Sequence, residues 1–566
     1  MSGDRSPEAA RSSALDRLAS EAFDVLVIGG GISGAAVARD AARRGLRTGL
    51  IEARDFAEGT SSRSSRLVHG GLRYLEHFEF DLVFEASQER RTLLRIAPHL
   101  VRPLEFLFPI FDTGRVGKLK LDAGLWLYDA LSLFRNIERH QMLDEEELLE
   151  REPRLRREGL LGAARYFDAQ VDDARLVITT VLSAVEAGAA TANRLEAVSI
   201  DTSDWPGHRV SVCDHEGGGG FHIDALSVVN ATGPWSEETL RRAGVERPAR
   251  LAPSRGTHIH VPRHRIGHER AFIFEAPADR RIMFVLPWRE NLTLIGTTDV
   301  FHDGPPGEVA ATADEIAYLL SATNHLFPDA RLRPADVLSA WAGLRPLVAP
   351  EEAEDGDPTS APDAGTVSRE FEIHHRPDGL FTLLGGKLTS HRGMAEETVD
   401  RVSRFLAQAD VQVERRCDTA RVPLPGGNFD DLDQLGAHVR SRAQSLGVGP
   451  ESAARLTRAY GTRASLILEL VESEPQLAAP ILEGRPHLLA EAVHAVRHEL
   501  ALGVCDVLYR RTRIGLETRD GVETAARNVA AVVASELGWD AERIEFEVWR
   551  ALEARHTDDQ ALEEVA

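Results

Sequence analysis

A glycine turn between two apolar strands constrains this chain more than any other feature. Residues 23–28 (FDVLVI) form an apolar run, interrupted only by Asp24, of the kind a strand buried on both faces requires. Gly29, Gly31 and Gly34 follow as G-x-G-x-x-G within IGGGISGAAVARD, with Ser33 among them. Small residues suited to a helix over 33–44 come next, then a second strand at 47–52. The first glycine permits a tight turn, the second lets the backbone approach a pyrophosphate, and the third allows close helix–strand packing. The helix N-terminus then presents unsatisfied N–H groups and a positive dipole end to phosphate. Glu52 ends the second strand, 18 residues after Gly34, where an acid is expected to hold a ribose hydroxyl. Glycine turns are common, but this one sits between two strands and ahead of an acid, and it predicts a dinucleotide site.

With 566 residues the chain is long enough for about three structural units. Its net charge of -23 excludes a broadly basic nucleic-acid surface, so an anionic substrate needs a local basic pocket. Only three lysines occur, Lys118, Lys120 and Lys387, which makes each a rare choice. Cys213, Cys417 and Cys505 lie far apart, which argues against disulfides, zinc ribbons and iron–sulfur ligation. No apolar run approaches the ~18 residues of a spanning helix. Residues 1–22 lack the apolar centre of a secretory signal and read as a flexible arm with some helical tendency.

Strands are predicted at 207–213, 226–231, 257–261, 282–286 and 292–296, implying a largely antiparallel second sheet. Residues 80–96 and 117–135 have helical patterning, 140–158 is charge-rich surface, and 350–366 is a Pro/Gly/acid-rich loop. After PLPGG at 423–427 amphipathic stretches recur at 430–446, 451–472, 486–509 and 521–538. The organisation expected is an α/β chain: a Rossmann-type nucleotide domain (23–110, 165–235, 367–412) interleaved with a substrate domain built on an antiparallel sheet (111–164, 236–366). A helical domain follows at 413–566.

Two further segments favour FAD over a nicotinamide cofactor. Residues 59–75 (GTSSRSSRLVHGGLRYL) are dense in polar, glycine and basic groups, and Thr60, Ser61 and Ser62 can hydrogen-bond a pyrophosphate or a flavin edge. A second glycine-rich contact, Gly385 with Lys387, Leu388 and Thr389, lies near the C-terminal end of the nucleotide unit. A helix after Lys387 would aim its N-terminus at the N1–C2=O edge of a flavin.

The string TSSRSSRLVHGGLRYLEHFEF (60–80) closely resembles the signature of the FAD-dependent, quinone-linked glycerol-3-phosphate dehydrogenases. VDDARLV (171–177), NATGPW (230–235), RGTHI (255–259), LIGTTD (294–299), GLRPL (343–347) and GGKLTSHR (385–392) follow in the family's order. The resemblance implies a fold of the glutathione-reductase-like, D-amino-acid-oxidase-like type. It also implies oxidation of sn-glycerol 3-phosphate to dihydroxyacetone phosphate with FAD as hydride acceptor. Electrons would pass to quinone, from an enzyme seated peripherally on the inner face of the cell membrane. Ser390 and His391 stand where the family pattern leads one to expect Thr and Tyr.

Residue roles follow from the chemistry and those motifs. Arg73, Arg345 and Lys387 are candidates for the substrate phosphate, since arginine forks and a lysine point charge both suit it. Arg345 has an alternative role at the developing alkoxide, and Tyr74 one of closing the pocket. His69 is the candidate proton acceptor, with His258 its rival. His258 and His260 share a strand face as H-x-H, but no third metal ligand has useful spacing, so no metal is expected. Residues 117–135 combine Lys118, Lys120, Trp126 and several leucines, a pattern suited to in-plane membrane seating or to an ordinary core helix. Two other readings compete: an oxidase passing electrons to oxygen as hydrogen peroxide, and a catalytically silent flavin-binding module. No motif assigns chemistry to the C-terminal helices, for which packing or homodimerisation is the default.

Overall fold

The strand Ala22–Ile28 is central in an eight-stranded sheet because its side chains are buried on both faces from Phe23 onward. It pairs in parallel with Thr48–Ile51 on one side and Gly220–Asn230 on the other. Ala190–Ala192 and Leu380–Gly385 extend the parallel set, and Phe371–His375, His208–Asp214 and Leu195–Asp201 add antiparallel strands. Helices Ile32–Arg43, Asp173–Glu186 and His391–Leu406 share a core with one face of this sheet. These features come from a computed structural model, which describes residues 7–71, 79–114, 116–133, 136–202, 207–246, 250–289, 291–349 and 370–565.

The second sheet has ten strands. Ser254–Pro262 pairs antiparallel with both Leu292–Gly296 and Ser339–Arg345, which sets His258 opposite Gly296 and Trp341. The sheet's pairings are antiparallel, as expected, apart from Ala271–Glu275, which runs parallel to Val101–Phe111. Val101–Phe111 and Leu160–Val171 pair with each other and belong wholly to this second sheet. The expectation had placed residues up to 110 and from 165 in the nucleotide unit. Pairing between strands about sixty residues apart overrides the local reading.

The N-terminal arm also differs from expectation. Residues Pro7–Ser20 form a helix held on the first sheet. Leu18 is fully buried in a core with Phe23 and Leu26, and Arg11 pairs with Asp214 at 2.8 Å. The C-terminal region is helical: Leu432–Ser445, Pro450–Tyr460, Ala464–Ser473, Leu489–Glu499, Val522–Leu537 and Ala541–Val565. The stretch expected at 486–509 is broken. Leu500 takes a left-handed conformation (φ 59°), and a π-helical turn follows at Val507–Arg511. The last helix returns to pack on the helix Ala313–Leu326 and the strand Ser339–Arg345, and its Ala561 and Leu562 join the core of the second sheet.

Candidate functional site

A cavity of about 490 Å³ runs from the glycine turn to the junction of the two sheets, within the size range of cofactor sites. Gly29, Gly31, Ser33, Glu52, Thr60 and Ser61 line its nucleotide end. Gly29 adopts φ 110°, and a Cβ there would stand 2.7 Å from the Ala231 carbonyl oxygen. Gly34 lies outside the lining and serves packing, since a Cβ would sit 1.9 Å from the Gly29 oxygen. At Gly31 a Cβ would meet only Ser61 Oγ, at 3.2 Å, so the backbone is left bare where the helix begins. The Glu52 carboxylate accepts the Gly30 N–H at 2.6 Å and the Arg54 N–H at 2.8 Å. Burial pushes its pKa up to about 7 against those two amides. A bare glycine cradle, a helix N-terminus and an acid beside them fit the pyrophosphate and ribose of FAD.

Ser62 departs from expectation: it is absent from this lining. Its carbonyl oxygen turns outward, toward the C-terminal helices, and accepts two bonds from Arg513 at 3.0 Å. A 3₁₀ turn at Thr60–Ser62 causes this, putting Thr60 and Ser61 on the cavity side. Thr60 Oγ1 donates to the Leu344 carbonyl at 2.6 Å, and Ser61 Oγ accepts the Ile32 N–H at 3.0 Å.

His69, His258, Arg345, Gly385, Lys387, Leu388 and Thr389 line the other end, although they come from four distant segments. Gly385 and Gly386 turn with φ of 69° and 93°. The Thr389 hydroxyl accepts the His69 N–H at 3.2 Å, tying the 385–389 turn to the signature segment. Arg73 and Tyr74 lie outside the described residues.

His258 is buried, bonded through Nε2 to Ser65 Oγ at 2.8 Å and stacked on Trp341 with ring centroids 5.7 Å apart. Burial, with Arg345 and Arg66 nearby, lowers its pKa to about 3, so the ring is neutral at working pH. His260 donates through Nδ1 to the Leu516 carbonyl and accepts from Arg66 through Nε2, which makes it a wall residue. Arg345 is already engaged: Nη1 meets Asp299 at 3.0 Å, and Nη2 meets Thr297 Oγ1 at 3.0 Å. Gly256 makes room for it, since a Cβ there would stand 2.3 Å from Arg345 Nη2. Lys387 lies within electrostatic reach of Glu85, whose carboxyl burial and Glu89 raise and Lys387 lowers. His391 is buried outside the lining, and its Nδ1–H donates to the Leu388 carbonyl at 2.7 Å. It therefore braces the turn that presents Lys387 to the cavity.

Two parts of the site were missed by sequence reasoning. Ser65 orients His258; its only signal was its place in the serine-rich run 60–66. Arg54 and Trp235, with the guanidinium 5.5 Å from the ring centroid, wall the nucleotide end.

Comparison with known proteins agrees with this geometry. A family profile described as "FAD dependent oxidoreductase" matches residues 24–401, and one described as "C-terminal domain of alpha-glycerophosphate oxidase" matches 417–544. The chain is 37% identical over 548 residues to a glycerol-3-phosphate dehydrogenase of Synechocystis sp., covering 93% of this chain and 95% of the relative. It is 38% identical over 545 residues to glycerol-3-phosphate dehydrogenase 2 of Mycobacterium tuberculosis, covering 95% and 89%. The crystal structure of a Bacillus halodurans glycerol-3-phosphate dehydrogenase complexed with FAD superposes with a TM-score of 0.80 at 31% identity, covering 98% of this chain and 99% of that one. With a glycine cradle built for FAD and likeness along nearly its whole length, the chain belongs to the family of FAD-dependent glycerol-3-phosphate dehydrogenases.

Proposed function

We propose that this protein oxidises sn-glycerol 3-phosphate to dihydroxyacetone phosphate and passes the electrons to a membrane quinone. The observation that carries the reading is one cavity joining the FAD cradle to an end lined by His69, His258, Arg345 and Lys387. Bound FAD supplies the two-electron acceptor for the C2 carbon of the alcohol. The chain's own residues must then hold a phosphate dianion and take the hydroxyl proton as the C2–O bond becomes a carbonyl. Lys387 supplies a point charge for the phosphate. Arg345, its fork partly spent on Asp299, suits orientation or alkoxide stabilisation better than sole capture of the phosphate. Arg73 and Tyr74 remain assigned to substrate on the signature alone. His69 is the proton acceptor in this proposal. His258, with a pKa near 3, is a poor base at neutral pH and acts by hydrogen bonding.

The quinone assignment draws support from the helix Lys118–Leu131. Leu119 is 87% exposed and Trp126 51%, and with Leu127 they follow an i, i+7, i+8 helical repeat along one face, with the exposed Leu133 just beyond the helix end. Lys118 and Lys120 flank it, also exposed. Apolar side chains edged by cations suit seating in a membrane interface. No described helix is long and apolar enough to cross a membrane. The C-terminal match to an alpha-glycerophosphate oxidase domain favours a second reading, in which oxygen is the acceptor. Turnover with sn-glycerol 3-phosphate in air, scored for dihydroxyacetone phosphate and peroxide, tests both. Product without stoichiometric peroxide, accelerated by a soluble quinone analogue, supports the dehydrogenase. Stoichiometric peroxide replaces it with the oxidase, and no product under either acceptor sinks both.

A further inference from the structure

The C-terminal helices reach the loop beside the FAD cradle through Arg510, Arg511 and Arg513. Arg511 ends the π-helical turn, and Arg513, two residues on, is held in the left-handed region at φ 70°. Both are fully buried, as is Asp55. Arg511 sends Nη1 and Nη2 to the two carboxylate oxygens of Asp55 at 2.6 and 2.9 Å, and Arg510 adds a further contact to Asp55. Asp55 begins a segment that packs on the glycine turn. A Cβ on Gly30 would lie 2.4 Å from the Phe56 ring, and the Ala57 N–H donates to the Gly30 carbonyl at 3.1 Å.

Arg513 holds the far end of the same segment. Nη1 and Nη2 both donate to the Ser62 carbonyl at 3.0 Å, and Nη2 also meets Asp173 Oδ1 at 2.8 Å. Asp173 Oδ2 in turn accepts the Ser64 N–H at 3.1 Å and the Ser64 hydroxyl at 2.7 Å. The neighbouring Ser65 is the residue bonded to His258. Burial alone would raise the Asp55 carboxyl, but Arg511 and Arg510 hold it well below the usual range, so the pair stays charged. Left-handed backbone at a non-glycine residue persists only where its surroundings over-determine it. Here the surroundings are the loop that lines the FAD cavity.

We infer that Arg511 and Arg513 are positioning residues for FAD: they clamp both ends of residues 55–64, fix Thr60 and Ser61 against the cofactor, and give the C-terminal domain its role in the site. The inference rests on the FAD assignment. A fork fixes two bond directions at once, which a lysine point charge cannot reproduce.

The test compares holoenzymes of the wild type, Arg513→Met, Arg513→Lys and Arg175→Met. Arg175 is a matched control: it is buried and bonds Glu499 at 2.6 and 2.8 Å, also joining the C-terminal helices to the nucleotide domain, so its guanidinium is spent on Glu499 and not on residues 55–64. FAD release is followed by the rise in flavin fluorescence on dilution, alongside the urea unfolding midpoint of each protein. Arg513→Met is expected to release FAD about tenfold or more faster than Arg175→Met, beyond what their midpoints account for, with Arg513→Lys between it and wild type. Release rates that follow the unfolding midpoint alone, in both positions, overturn the inference. Should Arg513→Met not fold, Arg513→Lys decides: release at the wild-type rate overturns the clamp, and faster release at an unchanged midpoint supports it. A wild-type protein purified without flavin absorbance would instead point to failure of the FAD assignment.

Discussion

Gly31→Ala separates the needs of the fold from the needs of the cofactor. Gly31 has φ -75° and ψ -176°, which alanine adopts readily, and its new methyl would meet only Ser61 Oγ, at 3.2 Å. The loss of an N-cap glycine and the gain from a stiffer unfolded chain oppose each other, so stability should change by no more than about 1 kcal/mol. FAD binding should suffer far more. The methyl stands where a pyrophosphate must approach the first amides of the helix Ile32–Arg43. Losing one or two charge-assisted bonds costs about 1.5–3 kcal/mol, or about 10- to 150-fold in Kd. The assay is equilibrium FAD titration of flavin-stripped protein by fluorescence, with urea unfolding of the same stripped protein as the stability control. Gly34→Ala provides the contrast. Its Cβ would lie 1.9 Å from a backbone oxygen, so it should fail to fold rather than fail to bind. A Gly31→Ala protein that binds FAD as tightly as wild type would refute the placement of the pyrophosphate.

His69→Asn should lower kcat about 100-fold or more with FAD still bound; a loss under tenfold by stopped-flow reduction would remove His69 as the base. The triple variant Lys118→Glu/Lys120→Glu/Trp126→Ser should lose co-sedimentation with anionic vesicles while retaining turnover of soluble acceptors; unchanged partitioning would end the membrane assignment. Buried histidines should make the protein acid-labile. His268 is held neutral, with its pKa lowered to about 4 by burial, so on acidification the unfolded chain takes up its proton first. Its contribution therefore reduces stability progressively as pH falls from about 6.5 to 4, by about 1.4 kcal/mol per pH unit. His268→Gln should flatten the urea midpoint's pH dependence over that window, and an unchanged slope would contradict the reasoning.

Local signals made the nucleotide end readable. The run 23–28 announced a doubly buried strand, the glycines 29–34 announced their own geometry, and helix Phe80–Ile96 matched its periodicity to the residue. Residues 59–75 and 385–389 were grouped on composition, and the contact between His69 and Thr389 shows the reason they belong together. What the sequence concealed was partnership at a distance. Val101–Phe111 pairs with Leu160–Val171, Ser65 meets His258 across 193 positions, and Arg513 reaches Ser62 across 451. Such pairings depend on chain closure rather than on neighbouring residues. The same limit applies to Arg345: its motif marks it as important, but its engagement with Asp299 appears only when Ser254–Pro262 holds Ser339–Arg345 on one side and the strands flanking Asp299 on the other. His391 was read as a departure from the family pattern. Its hydrogen bond to Leu388 shows a histidine bracing the turn from behind.

Whether FAD in this cavity oxidises a phosphorylated secondary alcohol is decided by anaerobic titration of the holoenzyme with sn-glycerol 3-phosphate. The phosphoester should bleach the oxidised flavin's visible band, glycerol at the same concentration should bleach it little, and a quinone analogue should restore it. A flavin that stays oxidised at saturating sn-glycerol 3-phosphate, or one that glycerol reduces equally well, would contradict that reaction.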